Sequence, residues 1–157
     1  MLLKVALFIH IISAIFWIGG MLFITLVIAP FLSTIPDREE KSKIYQWVGK
    51  KYRLLGWIAI ILLLVTGPAV LYLIYGVAPQ QMFSEPFHTG PLGTALSIKL
   101  SFVILIVLSS LLHDFWLGPK ARTSPKLSKY AKIFGRSNLI IALIIVIFAV
   151  ILRAGGM

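Results

Sequence analysis

The sequence predicts an all-α membrane protein, an antiparallel four-helix bundle with both termini outside. Three observations carry that expectation. Hydrophobic residues make up 59% of the 157 positions and charged residues only 13%, whereas a soluble domain averages about 45–50% apolar and about 25% charged. Apolar runs of membrane length recur along the chain, and about 20 helical residues cover the roughly 30 Å of a bilayer core. Basic residues gather in two of the three connections between those runs. A soluble enzyme and a disordered chain are excluded by this composition. The absence of cysteine excludes a disulfide scaffold, thiolate metal sites, iron–sulfur clusters and covalent c-type haem.

The first span is expected at about residues 2–32. Lys4 ahead of apolar residues resembles the start of a signal peptide, but the run is too long for such a segment and no small-residue cleavage site follows, so it reads as retained. The second span covers about 54–75, and its helix should start well before the membrane. Pro36-Asp37 followed by Glu39 and Glu40 places acids at the positive end of a helix dipole. Ile44, Trp47 and Val48 then continue an apolar stripe at helical spacing. The third span covers about 92–117. The fourth, about 137–153, has a short apolar run, with Arg136 to Asn138 and Arg153 at its two interfaces. Ser124-Pro125 reads as the N-cap and first position of a helix running into it, with Leu127, Tyr130 and Phe134 on one side. The connection from Gly76 to Gly93 is rich in Gly, Pro and Gln. Residues 1–157 read as one membrane domain without an internal repeat.

Charge placement orients these spans. Arg38, Lys41, Lys43, Lys50, Lys51 and Arg53 lie between spans one and two. Lys120, Arg122, Lys126, Lys129, Lys132 and Arg136 lie between spans three and four. The connection from Gly76 to Gly93 holds no Lys or Arg. The two basic connections are therefore expected on the cytoplasmic side of a prokaryotic inner membrane. The net charge of +10 reflects that rule and contact with anionic lipid headgroups, not a nucleic-acid partner. A redox partner in the membrane or periplasm, and assembly into a homo-oligomer, are open alternatives.

Ionisable groups inside a bilayer are expensive and mark functional positions by default. They are His10, Lys99, His113 and Asp114. Ala14, Trp17 and Met21 share a helix face with His10, and Gly19-Gly20 beside it admits a flat ligand or another helix. Neutral imidazole is a common haem ligand, and Trp17 would pack on a porphyrin. The alternative is a histidine hydrogen-bonded to a neighbouring helix, with Trp17 as packing. Lys99 lies about two turns into the third helix, at a depth similar to that of His10 if helices one and three run parallel. It would pair with a carboxylate-bearing substrate or a haem propionate, or snorkel to the headgroups. His113 falls about 21 Å further along that helix. His113-Asp114 is expected to close the bundle against Arg53 or Arg136, the alternative being a ligand at a second, inner site. His88 reads as a solvated loop histidine, or as a second axial ligand if its connection folds inward. No carboxylate pair, phosphate loop, dinucleotide fingerprint or Ser-His-Asp arrangement appears, and Met1, Met21, Met82 and Met157 form no copper-type cluster.

The stretch "HIISAIFWIGGMLF", His10 to Phe23, resembles the first helix of HemJ-type protoporphyrinogen oxidases, where a His is followed seven residues on by Trp and then a Gly. "SIKLSFVILIVL", Ser97 to Leu108, resembles that family's third-helix motif around its Lys. "RLLGWIAIILLLVTG", Arg53 to Gly67, is similar to the second-helix pattern of the copper-resistance D (CopD) family. The HemJ-type proteins carry another His soon after the helix-3 Lys, where this chain has Ser109-Ser110 and the later His113. The resemblance implies a b-type haem protein acting in electron transfer or porphyrinogen oxidation. His10 would be its iron ligand, Trp17 and Gly20 would line the haem, and Lys99 would be needed for function. His113 and His88 are further metal-ligand candidates. Copper in place of haem, in a CopD-like copper-handling protein, is the alternative, and an accessory membrane subunit without chemistry is a third.

Overall fold

The computed structural model describes residues 1–78, 80, 81, 90–121 and 124–156. Among them the regular structure is helical, in four lengths that match the four expected spans: α1, Leu2–Ser33; α2, Arg38–Tyr75; α3, Pro91–Lys120; and α4, Pro125–Arg153. The protein is thus an all-α, multi-pass membrane protein. Helices satisfy every backbone group within the segment, as hydrocarbon requires. Side-chain placement agrees with a lipid solvent. Ile15, Leu26, Val65, Ile104, Leu108 and Ile147 are all exposed, an arrangement that water would penalise and acyl chains do not.

The helix ends follow the local chemistry. The Asp37 carboxylate accepts a bond from the Glu39 N–H at 2.9 Å and caps α2. Lys43 pairs with Glu39 one turn on, at 2.7 Å. Gly90 caps α3, with Pro91 in its first turn. Ser124 is the N-cap of α4, as expected, although its hydroxyl makes no capping bond. Gly155 and Gly156, both at positive φ, end α4 in the left-handed turn that glycine adopts without penalty. The Gly156 N–H reaches back to the Ile151 carbonyl at 3.0 Å.

Two features lie outside the sequence expectations. A wider π-helical turn interrupts α1 at Ile24–Ile28 and α3 at Leu112–Leu117. Such turns accommodate one extra residue and gather at functional sites. Hydropathy cannot reveal them, because the extra residue leaves the apolar run unbroken.

The chain divides into two compact units, Met1–Val70 and Leu71–Met157. The first holds α1 and most of α2. The bond from His10 to Thr66 and that from Tyr52 to Trp17 run in opposite sequence order, so α1 and α2 are antiparallel. The second unit holds the end of α2 with α3 and α4. There Leu71, Ala95, Leu96 and Leu152 form a buried cluster with Tyr75, Leu92 and Leu100 packed against it. The Tyr75 hydroxyl donates to the Leu152 carbonyl at 3.1 Å.

The units share a local plan that the uniform apolar runs conceal. Pro30, Thr34 and Pro36 recur at the same spacing as Pro119, Thr123 and Pro125, and Lys43-Ile44-Tyr45 recurs as Lys132-Ile133-Phe134. In that register the two π turns coincide, the buried Ala6 matches the buried Ala95, and Lys99 stands in α3 where His10 stands in α1.

Candidate functional site

His10 is half-buried and tied to α2. Its Nδ1 lies 2.8 Å from Thr66 Oγ1. The Thr66 hydroxyl has a single hydrogen, and that hydrogen goes to the Leu62 carbonyl at 2.6 Å. Thr66 must therefore accept from His10, so Nδ1 carries the proton and the imidazole lone pair resides on Nε2. A hydrogen-bond acceptor at one ring nitrogen is what orients a metal-ligating histidine and fixes its tautomer. Gly67 follows, and a Cβ there would stand 3.4 Å from His10 Cε1. The absence of a side chain lets the ring edge pack closely on the α2 backbone there.

Thr66 was not singled out in the sequence reading, although a signal was there. It is a hydroxyl inside an apolar span, next to a Gly-Pro pair, and it is buried. A Thr in that setting returns its hydrogen to the preceding turn and offers its lone pair to whatever packs on it.

The structure changes the reading of Trp17 and Gly20. The Tyr52 hydroxyl donates to the Trp17 carbonyl at 2.5 Å. The Tyr52 ring fills the space at Gly20, where a Cβ would overlap it. Trp17 is buried beside Gly56, whose added Cβ would sit 3.8 Å from Trp17 Cδ1. These residues thus lock α1 onto α2, and the flat group admitted by Gly20 is a tyrosine ring of this chain. This is the packing that the sequence left open as the alternative for Trp17, and the close approach at Gly20 is that of another helix. Sequence alone offers no means of choosing which flat group fills a glycine notch.

Lys99 is half-buried in α3. Among the described residues no hydrogen bond or ion pair reaches its ammonium. A lone ammonium costs about 2.5–3.5 kcal/mol at a helix centre on insertion scales, so the position calls for an anion or water.

The second unit carries two further polar groups. Asn138, buried on α4, accepts from the Ser109 hydroxyl and donates to Ser110 Oγ at 3.2 Å. This bridge ties α3 to α4. About one turn further, within the π turn, His113 Nδ1 lies 2.8 Å from Asp114 Oδ1. His113 Nε2 is turned toward α4, 3.7 Å from where a Cβ on Gly135 would be. Arg136 is exposed and makes no ion pair among the described residues. His88 lies outside the described residues. No group of three or more His, Asp or Glu side chains suited to holding a metal ion occurs among the described residues.

Comparison with known proteins adds a family. No solved structure matches the chain. An uncharacterized protein of Aquifex aeolicus (strain VF5) is 40% identical over 150 residues, covering 95% of this chain and 94% of its own. Residues 12–126 match DUF4149, a domain of unknown function. That match takes in most of α1, all of α2 and α3 and the start of α4, and on this breadth the chain belongs to the DUF4149 family.

Proposed function

We propose that the protein is a membrane b-type haem protein that acts in electron transfer or porphyrinogen oxidation, with His10 Nε2 as an axial ligand. The observation that carries this reading is the relay from His10 Nδ1 through Thr66 to the Leu62 carbonyl. It prepares one imidazole, with a fixed tautomer, inside a membrane span. A porphyrin brings four nitrogen donors of its own and needs only one or two from the protein. A bare copper ion needs several donors gathered from side chains, which makes it the weaker reading here. Haem would supply a one-electron iron couple. This chain's residues would hold the imidazole in place and exclude water with the surrounding apolar surface.

Lys99, in the second unit, has an unmet need for an anion of its own, which a carboxylate-bearing substrate would meet. The reading further places the protein in a prokaryotic inner membrane with the basic connections inside. The test is the absorption spectrum of detergent-purified protein. A Soret band that disappears with His10→Ala, while the variant remains membrane-inserted, is the expected result. Stoichiometric copper without haem would replace this reading by the copper-handling one, and neither group would leave an accessory subunit.

A further inference from the structure

We infer that a notch in the first unit, between the π turn of α1 and the start of α2, binds an anionic phospholipid. A stretch of acyl chain occupies the notch, and Lys41 and Arg38 take the phosphate. The walls are Ile24, Ile28, Tyr45 and Val48, and the floor is Gly49. Ile24 and Ile28 bound the π turn of α1, the kind of turn that gathers at functional sites. The notch spans about 190 Å³. Pockets for small molecules run about 300–1,000 Å³, so this one suits part of a single chain and not a bulky cofactor. A Cβ on Gly49 would meet nothing within 4 Å, so no neighbouring helix packs on the floor.

The surroundings pass from apolar to basic across the notch. Leu26, Val27 and Phe31 of α1 are exposed, and α1 stays apolar as far as Leu32. On α2, Lys50 and Lys51 follow Gly49 directly. This is the boundary where the chains of a lipid meet its headgroup. Lys41 and Arg38 stand four and seven residues before Tyr45, on the helix face that lines the notch and nearer the start of α2. Lys41 is half-buried and Arg38 exposed, and no ion pair reaches either among the described residues. The acids beside them are placed otherwise. Asp37 caps α2, Glu39 pairs with Lys43, and Glu40 lies about 100° round the helix from Lys41. An apolar slot toward the span and two cations beyond it match the order of chain and phosphate in a phospholipid.

The second unit lacks this arrangement at the corresponding positions. In the shared plan Gly49 corresponds to Asn138, whose amide is bonded to Ser109 and Ser110. Lys41 and Arg38 correspond to Tyr130 and Leu127. The open floor and the two cations thus occur together in one unit and are missing together from the other.

Native mass spectrometry of the detergent-purified chain, titrated with phosphatidylglycerol or with phosphatidylcholine of the same chain length, tests this. Wild type should retain one phosphatidylglycerol in preference to phosphatidylcholine. Lys41→Gln and Arg38→Gln should each weaken that retention about fivefold, the effect of one basic residue at an anionic membrane surface. Gly49→Leu should abolish it with helical content unchanged, since its side chain enters the notch. Lys126→Gln and Lys129→Gln, on the basic part of α4, should leave it intact. Glycerophosphate, which has the phosphate without the chains, should not compete even in large excess. Equal retention of the two lipids, or retention unchanged by Gly49→Leu and Lys41→Gln, would overturn the inference. Losses from the α4 variants as large as that from Lys41→Gln would also overturn it, by showing diffuse attraction to basic residues. Competition by glycerophosphate would replace the lipid by a free anion. A dimer that forms without lipid and is dissociated by Gly49→Leu would give the notch to a second copy of the chain, and would likewise overturn it.

Discussion

At the scale of single residues, the chemistry concentrates in the acceptors behind the histidines. His10, Lys99 and His113 were legible in the sequence because an ionisable side chain stands out in an apolar run. Their partners were not legible. Thr66 and Gly67 are far from His10 in sequence, and nothing in α1 specifies which turn of α2 faces it. Replacing Thr66 by Val keeps the shape and removes the acceptor. It should weaken haem binding about 10–100-fold, the usual effect of losing the hydrogen-bond partner behind a ligand, and Thr66→Ser should restore it. A haem affinity unchanged in Thr66→Val, measured by titration, would show that the relay does not orient the ligand. Lys99 tests the anion. Lys99→Met should reduce haem retention or turnover while the protein still inserts, and Lys99→Arg should be milder because the charge persists. Equal behaviour of the Met and Arg variants with wild type would mark Lys99 as an ordinary snorkelling anchor.

At the scale of helices, the spans and caps were readable because hydrocarbon enforces them. Length, apolarity and the Pro-Asp and Ser-Pro starts all point to one answer for each element. The π turns and the α1–α2 lock were not readable, since both depend on register between helices. Gly19 and Gly20 make the point. They are adjacent and identical in sequence, yet a Cβ on Gly20 would overlap the Tyr52 ring, and a Cβ on Gly19 would meet nothing within 4 Å. Gly20→Ala should therefore cost about 1–3 kcal/mol in overpacking. Gly19→Ala should be neutral or stabilising, because Ala has the better helix propensity by about 1 kcal/mol. Reversible unfolding in mixed micelles separates the two. Equal stability of both variants would mean that Tyr52 does not occupy the notch.

At the scale of the whole chain, two organising features have different visibility. The shared plan of the halves is hidden in the sequence because apolar helices match one another cheaply. It emerges only where the connections, the π turns and the buried Ala6 and Ala95 are compared together. The charge asymmetry, by contrast, is plain in the sequence, and it governs every statement about depth. Six basic residues in each of two connections and none from Gly76 to Gly93 require both basic connections to stay on the side where translocation begins, since moving such clusters across the bilayer is disfavoured. With four spans the termini then share the opposite side. A reporter active only outside the cytoplasm, fused after Met157, should be active, and one that works only inside should be silent. Moving the charge should move the topology. Replacing the six basic residues of the first connection by Gln, while adding Lys to the outer connection, should produce a mixed population read out by both reporters. Cytoplasmic activity of the unaltered fusion would invert the assignment. It would place His10 and Lys99 in the inner half and His113 at the outer surface, so that any redox partner of the His10 site would have to be sought on the cytoplasmic side.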